Sequence, residues 1–253
     1  MILEEYDNNK KAIFNPENLV SKIDDLPEIG ITCFSKKLLD QLVNKYNGIP
    51  LIYSNHSDGE NPIYIVNYKN KEYALFLSKV GAPACISEYE NLFVMGINKL
   101  VIFGTCGVLD KNIKDLSIIV PNKAIRDEGT SYHYKKPSRE IEINKKYLNK
   151  FIRILKNNNL NYTIGKTWTT DAPYRETLKK VKQRKKENCI CVDMECSAIQ
   201  ALARFRKKEV FQFFYAADNL DSKEWEARSL KDNDNLTIKE KIGNLAFEIA
   251  SIM

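Results

Sequence analysis

Three short stretches of this chain put reactive side chains where an apolar run ends. The first is Phe103-Gly104-Thr105-Cys106-Gly107, directly after the apolar strand Leu100 to Phe103. Small residues and two glycines there offer backbone N–H groups and the Thr105 hydroxyl to an anion. The same residues suit a plain tight turn, and the stretch has neither the spacing nor the Lys of a P-loop. The second is Val192-Asp193-Met194-Glu195, where a strand gives way to a helix. Asp193 suits the helix cap and matches the helix dipole. Glu195, in the first turn, is a carboxylate able to accept paired hydrogen bonds from the vicinal hydroxyls of a sugar. The third is Ala216-Ala217-Asp218-Asn219. A partly buried Asp218 would hold a raised pKa and could donate a proton; Asp-Asn is equally a common turn pair.

Elements of an α/β layer fold must position these stretches, because short β-rich runs alternate with amphipathic helices along the chain. Strands are expected at Ile29 to Cys33, Pro62 to Tyr68, Tyr73 to Val80, Leu100 to Phe103, Ser117 to Val120, Thr163 to Thr169, Cys189 to Val192 and Val210 to Ala216. Helices are expected at Ser35 to Tyr46, Ile86 to Ile97, Asn144 to Lys156, Met194 to Arg206 and Thr237 to Ile252. Leu38, Leu39, Leu42 and Val43 share one face of the first, which opens on the capping residue Ser35. The uninterrupted apolar run at Leu100 to Phe103 reads as a central strand covered on both faces.

Composition narrows the function classes. The 253 residues include 13 Tyr, 11 Phe and 2 Trp and are 43% hydrophobic, enough for a core and against disorder. No run of about 18 apolar residues occurs, so a membrane span is excluded, and the polar start at Met1 to Lys11 lacks a signal-peptide core; a cytoplasmic protein is expected. Net charge is a mild +6. The one dense basic run, Lys179 to Lys186, reads as a solvated helix face rather than a nucleic-acid surface. Cys33, Cys85, Cys106, Cys189, Cys191 and Cys196 are expected as thiols, and their spacing is not that of a zinc site.

The order of the motifs resembles the nucleoside phosphorylase family, which includes purine nucleoside and uridine phosphorylases and methylthioadenosine nucleosidases. Gly104-Thr-Cys-Gly107 is similar to the family's phosphate turn, and Ala124 to Tyr134 to the segment that follows it. Thr169-Thr-Asp-Ala-Pro-Tyr174 is similar to the base-pocket strand end. Val192-Asp-Met-Glu-Cys-Ser-Ala198 resembles the ribose-binding signature, and Ala217-Asp218 the pair that serves a purine base. The resemblance implies an α/β, single-domain three-layer nucleoside-phosphorylase-like fold over residues 1–253, a central mixed sheet flanked by helices. It implies a transferase that cleaves the N-glycosidic bond of a purine nucleoside with phosphate as co-substrate, with no other cofactor and no metal. The assembly implied is a homo-oligomer, a dimer or hexamer.

Carried over by position, Glu195 would hold the ribose hydroxyls and Met194 would pack under the sugar. Asp193, one methylene shorter than the family's Glu, would contribute nearby. Asp218 would protonate the purine. Tyr174 would stack on the base, and Arg228 or Lys231 would stand where purine enzymes carry a basic residue. Gly30, Gly104 and Thr105 would line the phosphate. His133 would line a subunit contact or a 5′ pocket, whereas His56 reads as an exposed loop residue. The departure lies in the phosphate site: relatives use arginines there, whereas Glu28 to Ser35 holds none and the first arginine of the chain is Arg126. Hydrolysis by water, or nucleoside binding without turnover, therefore stand beside phosphorolysis.

Overall fold

The computed structural model describes residues 2–56, 59–230 and 235–253, with the side chains of Asn55 and His56 outside that set, as is the whole of Lys231. The strands are β1 (Ile29–Cys33), β2 (Ile49–His56), β3 (Gly59–Tyr68), β4 (Lys71–Leu77), β5 (Lys99–Val108), β6 (Ile118–Asp127), β7 (Glu140–Glu142), β8 (Tyr162–Thr170), β9 (Cys189–Asp193) and β10 (Glu209–Asn219). The helices are α1 (Lys36–Lys45), α2 (Ala82–Met95), α3 (Ser131–Tyr134), α4 (Leu148–Asn157), α5 (Leu178–Lys186), α6 (Cys196–Arg206) and α7 (Leu236–Ala250).

All ten strands join one mixed sheet in the order β10-β6-β8-β9-β5-β1-β4-β3-β2, with β7 on β6. A further pairing of β10 with β5 closes β5, β9, β8, β6 and β10 into a ring, and β1, β4, β3 and β2 extend from it as a wing. Strand β5 is therefore the hinge of the architecture. It runs parallel to β1 and β10 and meets β9 antiparallel only at Gly107 and Val108.

The core explains why β5 is apolar throughout its first half. Leu100 and Ile102 pack with Ile86, Tyr89 and Leu92 of α2 and Ile199 and Leu202 of α6. Val101 and Phe103 point the other way, into Leu38, Leu39 and Leu42 of α1, Phe151 of α4 and Phe247 of α7. Both faces are covered, as the unbroken apolar run predicts. Phe103 and Phe213 stack with centroids 5.6 Å apart, and Phe151 caps Phe213 at 4.6 Å. Each such buried side chain contributes about 1.5–3 kcal/mol of burial energy.

Local chemistry sets the element ends. Ser35 caps α1, its hydroxyl accepting from the Leu38 amide at 3.3 Å. Helix α2 begins four residues before the expected Ile86, because Gly81 turns the chain at φ +91° and Pro83 suits a first turn. Instead of the loop expected around His56, Ser54 to His56 pair with Gly59 to Asn61 in the β2–β3 hairpin. Its strands carry inward polar residues that blur the alternation: Asn61 is buried and donates to the Leu77 carbonyl at 2.7 Å and to Glu88 at 2.6 Å. All six cysteines are free thiols and buried, and no helix among the described residues is long and apolar enough to cross a membrane.

Candidate functional site

The Gly104–Gly107 stretch is strand, not turn. Strand β5 continues to Val108, and β10 pairs with it along that whole length. On its other edge β1 stops at the Cys33–Phe103 pair, and β9 takes over only at Gly107. The backbone of Gly104, Thr105 and Cys106 therefore faces a gap between two neighbouring strands, and Thr105 is the one exposed residue of β5. Such a gap in an open sheet, beside the carboxyl ends of parallel strands, is where ligands collect. Gly104 itself is a packing requirement: a Cβ there would lie 2.8 Å from the Phe34 ring.

Gly107 brings Asp218 and the end of β9 to this gap. It pairs with Val192 on one edge and Asp218 on the other. A Cβ at Gly107 would stand 3.1 Å from both Asp218 Oδ1 and Val192 Cγ1, so only glycine lets the two strands close in. Two strand spacings separate Val192 from Asp218, about 10 Å.

Beyond Val192 the chain places its acids differently. Asp193 is buried, and its Oδ1 accepts from the hydroxyls of Thr167 at 2.8 Å and Thr169 at 3.0 Å. Its Oδ2 accepts from the amides of Glu195 at 2.9 Å and Cys196 at 2.6 Å, which starts α6. Asp193 is thus the helix cap, and the substrate contact expected of it is corrected: its shorter side chain is fully engaged by β8 and α6. Glu195 is equally buried, and its Oε1 accepts from the Gly81 amide at 2.7 Å, with the Met194 amide also acting on the carboxyl. Burial, and next the Asp193 carboxylate, push Glu195 up to about 8. Met194 lies half-buried between them.

Asp218 ends the apolar part of β10, half-buried. Its Oδ2 accepts from the Trp225 indole N–H at 2.8 Å. Burial raises its pKa, while the Trp225 hydrogen bond and the nearby Arg228 charge oppose that rise. Trp225 is held by the same loop, in which Asn219 and Glu226 form a β-bridge. Arg228 stands within electrostatic reach of Asp218. Its guanidinium donates to the Ile113 carbonyl at 2.8 Å and lies 3.5 Å from Glu226. A second carboxyl joins this end: Glu176, half-buried, pushed up to about 7 by burial and by Asp218. The sequence marks neither Glu176 nor Trp225, because their approach to Asp218 depends on two loops far apart in the chain. Gly81, whose role is a backbone donor, carries no side-chain signal at all.

Three further expectations are corrected. Gly30 sits inside β1, paired with Ala74 and Leu100. A Cβ there would lie 2.6 Å from Leu100 Cδ2, so it serves core packing. The strand expected at Ile29 to Cys33 is present with those bounds. Tyr174 is 99% exposed, carried outward by the short turn Pro173–Arg175, and forms no wall of the site. Arg126 is not an unassigned phosphate ligand: it donates to Ser131, Ser138 and the Lys135 and Lys136 carbonyls and stacks on Tyr132 at 4.1 Å. Arg184 and Arg206 are likewise committed, to Asp127 and Glu90. His133 is exposed on α3, and the His56 side chain lies outside the described residues. Among the described residues no group of three His, Cys, Asp or Glu side chains could share a metal ion.

The Phosphorylase superfamily profile matches residues 28–247. The purine nucleoside phosphorylase DeoD-type of Brevibacillus brevis is 26% identical over 156 residues, 60% of this chain and 66% of that protein, just under two thirds. The guanosine phosphorylase of Halorubrum lacusprofundi is 23% identical over 180 residues, 71% of this chain and 73% of that one. In architecture the chain is similar to uridine phosphorylase from Vibrio fischeri ES114, with a TM-score of 0.75 at 20% identity over 91% of this chain and 93% of that one. It is also similar to purine nucleoside phosphorylase from Toxoplasma gondii in complex with immucillin-H, with a TM-score of 0.74 at 17% identity over 90% and 94% of the two chains. The profile spans nearly the whole chain, the ring-and-wing sheet matches solved members, and the chain belongs to the phosphorylase superfamily.

Proposed function

We propose that the protein cleaves the N-glycosidic bond of a purine nucleoside and transfers the ribosyl group to inorganic phosphate, working as a homo-oligomer. One observation carries this reading: β9, which leads into the buried Glu195, and β10, which carries the half-buried Asp218, take opposite edges of β5 at Gly107. The reading puts the sugar at Glu195 and its base toward Asp218.

Glu195 keeps acceptor capacity for hydroxyl donors of the sugar. Binding of two hydroxyls stabilises the ionised form, so its proton is released as the nucleoside enters. Asp218 hands its proton to the departing base, which leaves neutral; such acid catalysis contributes roughly 10²–10⁴ in rate. The open edge at Gly104–Cys106 and the Thr105 hydroxyl receive the attacking phosphate. Purine names among the relatives support the choice of base.

A second reading, hydrolysis by water, is favoured by one feature: none of Arg126, Arg184 and Arg206 is free to hold a phosphate dianion. Incubating the purified protein with inosine, guanosine, adenosine and uridine, with and without phosphate, separates the readings. Base release that requires phosphate supports phosphorolysis; release without it supports hydrolysis. Absence of both turnover and nucleoside-dependent thermal stabilisation overturns the site assignment.

A further inference from the structure

Helix α5 is the most one-sided charged element of the chain. Its nine residues, Leu-Lys-Lys-Val-Lys-Gln-Arg-Lys-Lys, hold six basic side chains and no acidic one. Those six equal the net +6 of the whole protein. Two of them face inward: Lys180 and Arg184 pair with Asp127 and lie over the Trp168 ring at 5.9 and 5.2 Å. The other four face outward.

Between α5 and the loop after β10 lies an open groove of about 890 Å³, lined by Lys111, Lys182, Lys185, Lys186 and Lys223. The two acids in it are already engaged. Asp221 accepts from Lys185 and from the Lys111 amide, and Glu226 accepts from the Asn219 amide group and lies near Arg228. Lys182, Lys186 and Lys223 have no ion pair among the described residues. A second hollow of about 490 Å³ shares Leu178, Lys182 and Lys186 and adds Lys179, so the positive surface continues over the helix. Converging cations of one sign repel each other unless an anion lies between them.

We propose that this groove is a second anion site, distinct from the nucleoside site, that binds a linear polyphosphate group of two to three phosphates. Several features select that chemistry. The cations are lysines, point charges that suit a flexible chain of phosphates rather than the planar fork of a carboxylate clamp. No aromatic side chain lines the groove, so nothing stacks bases as single-stranded nucleic acid requires. From Lys179 to Lys186 the helix rises only about 10 Å, the reach of a few phosphates. The Lys185–Asp221 ion pair closes one side and opens to an incoming anion at small cost, because a surface ion pair is weak.

The site stands independently of the nucleoside reading. Calorimetric titration with inorganic tripolyphosphate, in saturating inorganic phosphate to fill any single-phosphate position, tests it. The expected result is one site per chain, weakened by added salt and weakened about tenfold or more in K182E/K186E. Circular dichroism and the melting temperature of the variant check that it folds. ATP in a parallel titration identifies the source: equal affinity points to the phosphate chain alone, and tighter, charge-reversal-sensitive binding to a nucleotide. Undetectable tripolyphosphate binding, equal binding to the folded variant, or tighter binding of a single-stranded oligonucleotide than of tripolyphosphate overturns the proposal.

Discussion

Asp193 and Glu195 sit two residues apart at the junction of β9 and α6, and both are 6% exposed. Burial does not distinguish them; hydrogen-bond donors do. Asp193 receives four, two hydroxyls and two amides, and is part of the frame. Glu195 accepts from the Gly81 amide, with the Met194 amide also acting on it, and has fewer donors than Asp193, which leaves acceptor capacity for a ligand or a proton. Burial raises the pKa of both carboxyls, and at Glu195 the neighbouring Asp193 charge adds to it, whereas at Asp193 four hydrogen bonds oppose the rise. The Asp193 carboxyl is satisfied from within the fold, and the Glu195 carboxyl is less fully satisfied by it.

Substitutions can break that contrast. D193A should have the largest effect, a loss of about 3–5 kcal/mol in urea unfolding, because two buried hydroxyls and two amides lose their acceptor together. D218N should fold normally and lower kcat by roughly 10²–10⁴, read in base-release kinetics; a stability loss with unchanged turnover would move Asp218 into the frame.

E195Q sharpens the contrast through pH. The folded-state pKa of Glu195, about 8, lies above its ordinary 4.5. Native protein therefore retains a proton that unfolded chains release over that window. Its stabilisation is present below about 4.5 and is lost as pH rises toward 8. E195Q should lack this decline and gain on the wild type between those limits by a few kcal/mol, about 1.4 per unit of pKa difference. The smallest effect belongs to W225F. Removing the indole donor raises the Asp218 pKa further, and the alkaline limb of the rate profile should move up by about one pH unit or less.

Much of this arrangement was legible in the sequence, for identifiable reasons. The apolar runs of β1, β5 and β10 and the spacing of Leu38, Leu39 and Leu42 each encode burial directly. Asp218 and Glu195 stand out because acids rarely end apolar strands without purpose. The β2–β3 hairpin was obscured by buried Ser54 and Asn61, and the Asn61 partners Leu77 and Glu88 are distant in the chain. Gly30 and Gly104 look alike as letters, and both mark close packing, against Leu100 and Phe34; only register shows that Gly104 alone borders the gap. Tyr174 and Glu176 are two residues apart, yet the turn at Pro173 sends the ring to solvent and leaves the carboxyl facing Asp218.

The central claim is that Glu195 grips the sugar diol, and ligand pairs test it most directly. Calorimetric titration of wild type and E195Q with a purine nucleoside and its 2′,3′-dideoxy counterpart isolates that contact. Wild type should prefer the nucleoside by about 1.5–3 kcal/mol and release a proton on binding it near neutral pH, and E195Q should lose both the preference and the proton. An unchanged preference in folded E195Q would contradict the account.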